Sequence, residues 1–447
     1  MLYIKNGTII DPVENRLYRG DIQIRDGKIF SIIEKKEMEV DASKEPSALE
    51  TDIETDQIID AAGLMIAPGL ADTHVHFRDP GFTYKEDIHT GAKAAAKGGF
   101  TQIVLMANTK PSVDNSETLA YVLDKGKETD IHINSCANVT LKMAGKELAP
   151  MELLAKQGAA GFTDDGIPLL DRELVREAMI QAKRLGRPIS FHEENPAMIA
   201  NNGINRGRAS EFYQIGGSPR EAEIDLVKRD LELALETGAE VVIQHISTKE
   251  AVELLRQAKA KGAHVHGEAT PHHFTLTEEA AIEKGTLAKM NPPLREERDR
   301  RAIIEGLKDG TIDLIATDHA PHSREEKEKP VTQAPSGIIG LETALSLGIR
   351  ELVKKGYLTW PELIHRMSTA PCELYGLSGG RIEEGAPADL VLFHPQETWT
   401  VSEFASKSAN SPFIGEELPG VVYDTICGGK IVYKKKGKSN NKFTERT

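Results

Sequence analysis

The sequence predicts an α/β protein: a (β/α)8 TIM barrel with a small β-sandwich domain formed by the N- and C-terminal segments. Three observations carry this. Eight short apolar runs recur between residues 64 and 319, each separated from the next by room for a helix, which is the count of a barrel of parallel strands joined by helices. Both ends of the chain show alternating strands joined by turns instead. Finally, GGKIVY near the end echoes RDGKIFSI near the start, so the two ends are expected to meet in one unit.

The elements follow in order. LYIKNGTII leads to a turn at residues 11–15, then DIQIRDGKIFSII with Asp26-Gly27 as a hairpin signal. Residues 37–57 hold eight acids and one lysine with few apolar residues, and read as an exposed insertion in this β region. The barrel runs are LMIAPGLADTHVH (64–76), TQIVLMAN (101–108), IHINSCAN (131–138), GAAGFTDD (158–165), RPISFHEE (187–194), AEVVIQHIS (239–247), GAHVHGEATPHH (262–273) and TIDLIATDH (311–319). Between them, segments such as DRELVREAMIQAKRLG and PREAEIDLVKRDLELALETG space apolar residues three and four apart, the helical period. The barrel is expected over 61–379. The segments 1–60 and 380–447, the latter with GRIEEGAPADLVLFHP and VVYDTICGGKIVYKKK, are expected to form the discontinuous sandwich.

Composition narrows the class. Counting its 38 glycines with the 39% apolar set gives about 47%, inside the ~45–50% of soluble globular proteins. No run approaches ~18 apolar residues, and the opening MLYIKNGTIIDP lacks the pattern of a secretion signal, so no membrane association and a cytoplasmic location are expected. Cys136, Cys372 and Cys427 are too few and scattered for a disulfide framework or a cysteine-based zinc site. A net charge of −14 argues against nucleic acid, which needs a basic footprint. The basic tail 434–447 reads as a solvated end.

The chemistry lies at strand ends. Many of the 14 histidines fall at the C-terminal ends of the predicted strands, the face where such barrels build their sites. His74 and His76, two apart on one strand, face the same way and can share a metal ion. Arg78 and Asp79 follow in HVHFRDPG, and an arginine beside a metal pair offers a bidentate clamp for a carboxylate or phosphate. His192 closes RPISFHEE, His245 closes AEVVIQHIS, Asp318 closes TIDLIATDH, and the fourth strand ends in the turn Asp164-Asp165-Gly166. Nitrogen and oxygen ligands without sulfur suit Zn²⁺ best, with Mn²⁺, Co²⁺ or Fe²⁺ as alternatives. Four histidines plus an acidic turn exceed the needs of one tetrahedral ion, which points to two ions bridged by a carboxylate with a shared hydroxide. Asp318 could pass the proton of that nucleophile to a leaving nitrogen. The reaction class expected is hydrolysis, or the reverse condensation, at an amide-like C–N bond.

APGLADTHVH, one histidine at each of strands 5 and 6, an aspartate ending strand 8 and the two β ends together resemble the amidohydrolase superfamily. Within it, HVHFRDPG, MANTKP, GFTDDG, QHISTKE, EATPHHFTL, MNPPLR and IATDHAPH resemble the dihydroorotase family of the long bacterial type, from about Lys5 to Tyr433. The resemblance implies reversible cyclisation of N-carbamoyl-L-aspartate to (S)-dihydroorotate in pyrimidine biosynthesis. It gives His74 and His76 to the more buried ion, His192 and His245 to the second, and Asp318 to both metal binding and catalysis. No lysine stands at the fourth strand end, so the chain resembles the branch that bridges the ions with an aspartate; family spacing favours Asp165, with Asp164 as fallback. Arg78 and Asn108, joined by His322, match positions that hold the substrate carboxylate, while Asn291 and the backbone at Ser336 and Gly337 match those that hold the ring. His76 also borders the substrate. Zn²⁺, two per chain, is the implied cofactor. A homo-oligomer and an association with aspartate transcarbamoylase stay open.

Two departures stand out. Ala107 lies where close relatives usually carry proline, and Ser336 where many carry phenylalanine, which is expected to loosen the wall over the ring. The rivals are another cyclic amidase of hydantoinase or allantoinase type, whose members generally differ at Arg78 and use the bridging lysine, and an inactive scaffold.

Overall fold

The computed structural model describes residues 1–35 and 57–436. The acidic stretch, apart from Gln57, and the tail beyond residue 436 lie outside the described residues. The chain opens with β1 (Leu2–Asp11), β2 (Arg16–Arg25) and β3 (Lys28–Lys35), an antiparallel meander. Its turns follow from local chemistry. Asp11 Oδ1 accepts from the N–H groups of Val13 and Glu14 at 3.1 and 3.0 Å. Asp26 and Gly27 take φ of +53° and +76°, the left-handed pair that lets a two-residue hairpin match strand twist. Two short strands, β4 (Gln57–Asp60) and β5 (Met65–Pro68), then run parallel to β1.

The barrel strands come next. β6 (Leu70–Val75), β7 (Phe100–Leu105) and β8 (His132–Ser135) form one parallel sheet. β9 (Ile189–Phe191), β10 (Val241–Ile243), β11 (Val265–Ala269) and β12 (Leu314–Ile315) form another. Isolated parallel bridges join the two into a ring: Phe162 pairs with Ala137 on one side and Ile189 on the other, and His319 pairs with Val75. The fourth position is therefore a single paired residue where the sequence suggests a full strand. The Asp164 carboxylate explains the brevity, because two residues later it accepts from Asn138 Nδ2 and the N–H groups of Val139 and Thr140 at 2.9–3.2 Å and turns the chain away.

Helices cover the ring as the apolar spacing requires. The helix Arg172–Leu185 starts at Asp171, whose side chain accepts from Glu173 N and Leu174 N, and stops at Gly186 in the left-handed conformation. Its buried residues, Val175, Ala178, Met179 and Ala182, recur at intervals of three, one and three on the face against the barrel.

β13 (Leu390–Thr400), β14 (Glu417–Cys427) and β15 (Lys430–Lys434) return to the first sheet, which then has eight strands along the path β15-β14-β13-β5-β1-β2-β3, with β4 paired to β1. β5 falls inside the stretch expected for the barrel, yet it joins β1 to β13 here, and the chain leaves this sheet at Gly69. The sheet curls round a core of its own: Ile4, Ile22, Ile29 and Ile66 meet Leu390, Leu392 and Ile426. Ile29 N donates to Ala386 O at 2.9 Å, bringing the β3 edge to the segment before β13.

Candidate functional site

The C-terminal ends of the barrel strands carry the cluster. His74 is fully buried; its Nδ1 lies 2.8 Å from Glu268 Oε1 on β11, and its Nε2 lies 3.4 Å from Asp165 and 3.5 Å from Asp318. Because Glu268 can only accept when ionised, Nδ1 carries a hydrogen, and Nε2 is the nitrogen left facing the two aspartates. His76 repeats this arrangement. Its Nδ1 is 3.0 Å from Asn108 Oδ1, and its Nε2 is 2.9 Å from Asp318 Oδ1 and 3.4 Å from Asp165 Oδ2. Across the ring, His192 Nδ1 and His245 Nε2 approach to 2.9 Å, and both lie within 3.9 Å of Asp165 Oδ1.

Asp165 is thus common to two ligand groups, His74–His76–Asp165 and Asp165–His192–His245, whose atoms within each group lie within 4.8 Å of one another. A third group joins His74, His245 and Asp318. Asp164 points the other way, into the loop after β8, so of the two adjacent aspartates only Asp165 meets the histidines.

The residues fit a divalent cation. His74 Nε2, the atom that faces Asp165 and Asp318, is buried with no hydrogen-bond partner, an arrangement that is costly unless something binds there. The clustered carboxylates draw positive charge to this point. Burial works against charging His74, but Glu268, Asp165 and Asp318 outweigh it and hold its pKa well above the usual imidazole value. Burial likewise opposes an ionised Asp165, yet His74 and its neighbours hold that carboxyl well below the usual range. His245 is pushed far down by burial and by His192 and His74. Arg78, His245 and Asp318 also sit at φ of +59°, +30° and +46°, a region that costs non-glycine residues of order 1–3 kcal/mol and recurs at functional sites.

A cavity of about 390 Å³ opens onto this cluster. His76, Arg78, Asn108, Asn291, His322, Ser336 and Gly337, all expected near a substrate, line it. Their partners differ. Both Asn108 amide hydrogens are directed at Asp165, to its backbone O at 3.2 Å and its Oδ2 at 3.0 Å, and the Asn291 amide lies 3.2 Å from His192 Nε2. Arg78 Nη2 lies 3.5 Å from His322 Nε2, while Lys85 Nζ lies 3.2 Å from His322 Nδ1. The ammonium can only donate, so His322 Nδ1 accepts and its Nε2–H stands beside the guanidinium. Two donors cannot satisfy each other. Burial, with Arg78 and Lys85, drives the His322 pKa far down and keeps the ring neutral. Gly337 is required where it lies, since a Cβ there would stand 2.6 Å from both Ala320 O and His322 Cδ2.

Residues 65–432 match the sequence model of the Amidohydrolase family. The chain belongs to the amidohydrolase family. Among curated proteins, this amidohydrolase is 54% identical to the dihydroorotase of Clostridioides difficile (strain 630), covering 97% of this chain and all of that one. It is 49% identical to the dihydroorotase of Clostridium acetobutylicum over 98% of this chain and all of that protein. Among solved structures it is similar to the L-hydantoinase (dihydropyrimidinase) of Arthrobacter aurescens, with TM-score 0.84, 25% identity and coverage of 97% and 96% of the two chains. The dihydropyrimidinase of Brevibacillus agri NCHU1002 shares the fold at TM-score 0.80, 24% identity and coverage of 97% and 95%. No helix among the described residues is long and apolar enough to cross a membrane.

Several residues of this amidohydrolase site were not singled out from sequence. Glu268 fixes the His74 tautomer, and Asp72 accepts from His74 N at 3.1 Å and Thr317 N at 3.1 Å. Each is an acid near a strand end, and that was the available signal. His273 packs structurally, with Nδ1 2.8 Å from Thr270 Oγ1 and Nε2 3.0 Å from Pro292 O.

Proposed function

We propose that the chain interconverts N-carbamoyl-L-aspartate and dihydroorotate, a step of pyrimidine synthesis. The Arg78–His322 donor pair carries this reading: it opens onto the same cavity as the His–Asp cluster, and a substrate carboxylate would satisfy both donors. Relatives named dihydroorotase at 54% and 49% identity support the same chemistry. His74, His76, Asp165, His192, His245 and Asp318 would hold the metal, and the sulfur-free donor set suits zinc, two ions sharing Asp165. When bound, the metal supplies Lewis acidity for the ring carbonyl and acidifies the attacking water.

The chain's own groups do the rest. Arg78 and His322 fix the substrate carboxylate, so the ring amide is presented to the cluster in one orientation. Asn108 orients His76 and Asp165. In the hydrolytic direction water adds to the ring carbonyl, the ring C–N bond breaks, and Asp318 takes the water's proton and returns it to the leaving nitrogen; cyclisation reverses each transfer. Asn291 and the backbone at Ser336 and Gly337 would hold the ring edge.

Turnover measured on dihydroorotate, dihydrouracil, hydantoin and allantoin tests the reading. A strong preference for dihydroorotate is expected. Comparable or faster turnover of the other three would assign the chain to the hydantoinase group instead, and no turnover of any with metal bound would make it a scaffold.

A further inference from the structure

The other face of the barrel holds a second group of ligand atoms. His132 begins β8 at the N-terminal end of the barrel, Asp389 lies immediately before β13, and Cys427 ends β14. One atom from each, the His132 ring nitrogen, an Asp389 carboxylate oxygen and Cys427 Sγ, lies within 4.8 Å of the others. Asp389 is 1% exposed and Cys427 5%. His132 Nε2 stands 3.2 Å from Asp389 Oδ2. That nitrogen is buried although the rest of the ring is not, and it has no hydrogen bond of good geometry.

A simple ion pair does not account for the trio. Asp389 is already held in place from outside it: Oδ1 accepts from Gly428 N at 2.7 Å, and its backbone O from Gly69 N at 2.8 Å. Gln102 Nε2 approaches Oδ2 at a long 3.4 Å. The thiol beside the pair is left unexplained by it: Cys427 Sγ reaches Thr101 O at a long 3.9 Å and also faces Asp389. His132 and Cys427 also line a cavity of about 670 Å³ between the barrel floor and the terminal sheet, so a further ligand position is open to water.

We propose that His132, Asp389 and Cys427 form a second metal site, distinct from the catalytic cluster, that takes a thiophilic divalent ion such as Zn²⁺ or Co²⁺. Imidazole, carboxylate and thiolate with water in the fourth position make a tetrahedral N, O, S set of the kind those ions accept. Binding replaces one proton of the His132 imidazolium beside Asp389 and the proton of the Cys427 thiol with one dication, so the local charge stays balanced and two protons leave. Its role is structural: the ion joins barrel strand β8 to β13 and β14, which no covalent cross-link does among the described residues.

Sulfur makes the test selective. The full-length chain is loaded with Co²⁺ and its near-ultraviolet spectrum recorded. The catalytic cluster contains no thiolate, so a sulfur-to-cobalt charge-transfer band can come only from a cysteine. The band is expected in the wild type and in Cys136→Ser and Cys372→Ser. It should vanish, with one equivalent less cobalt bound and an unchanged far-ultraviolet circular dichroism spectrum, in Cys427→Ser and in His132→Gln, whose position is partly exposed and tolerant of change. Absence of the band from the wild type, its loss in either control, or its survival in Cys427→Ser or His132→Gln overturns the proposal.

Discussion

At the scale of single residues, position within the Asp164-Asp165 turn decides function. Asp165 faces four histidines, whereas Asp164 ties the chain to the loop after β8. Asp165→Asn is expected to lose most bound metal and nearly all turnover while keeping its melting temperature in chelator. Asp164→Asn should instead retain metal and melt earlier, because a buried carboxylate accepting several bonds is replaced by a group that cannot match them. Elemental analysis beside thermal melts reads both, and the reverse pattern would exchange the two roles. Arg78→Lys keeps the charge but loses the planar fork, so KM for dihydroorotate should rise at least several-fold. An unchanged KM would place the carboxylate elsewhere. The histidines and Asp318 were legible because strand-end ligands repeat at strand spacing. Glu268 and Asp72 were not, because a single acid within a strand reads like any surface acid until its neighbour across the ring is known.

Individual elements depend on charges that look ordinary in sequence. Lys289 Nζ donates to Val331 O and Ala334 O at 2.8 and 2.7 Å, and Lys327 Nζ to Pro335 O and Gly337 O, each at 3.0 Å. Together they hold the segment 331–337, whose end lines the cavity. Burial, with Lys289 adding repulsion, brings the Lys327 pKa to about 7. Lys327→Met removes two of these anchors, so KM should rise while the metal content stays constant; an unaltered KM would mean that the segment holds itself. At the other face, His266 on β11 lies 2.8 Å from Glu240 and 3.7 Å from Asp313, which flank β10 and β12. Burial disfavours the charged ring, but the two carboxylates outweigh it and raise its pKa to about 9. The stabilisation is therefore complete below the unfolded value near 6.5 and is lost as pH rises through about 9. The melting difference between wild type and His266→Gln should shrink between those limits, and a constant difference would exclude the ion pairs as its source. Sequence period located β11 but not these partners, since a lone lysine or histidine carries no sign of what it will bury against. The passage from β5 to β6 was equally opaque: only Gly69 separates two apolar runs that belong to different sheets.

For the whole molecule, the His–Asp cluster is a junction between strands as well as the proposed reaction centre. Its six residues come from four strand ends and the turn beyond Phe162, and the folded chain alone brings them together. A metal held at 100 times its dissociation constant adds about 2.7 kcal/mol, so chelation should lower the melting temperature by a few degrees, and restoring Zn²⁺ should return it. Melting that ignores chelator would mean that the ring closes as firmly without the ion. The net charge of −14 does not oppose an anionic substrate, because Arg78 and Lys85, with any cation the cluster would hold, make the barrel mouth locally positive.

The terminal sheet sets an order of events during synthesis. β5 is made early, but its partner β13 begins only at Leu390, after the whole barrel. Throughout translation of the barrel, the β5 edge waits unpaired beside an apolar face that Leu390, Leu392 and Ile426 will later cover. β13–β15, which follow the barrel in the chain, therefore cap a sheet begun by β1–β5, and these pairings can close only once the barrel has been made.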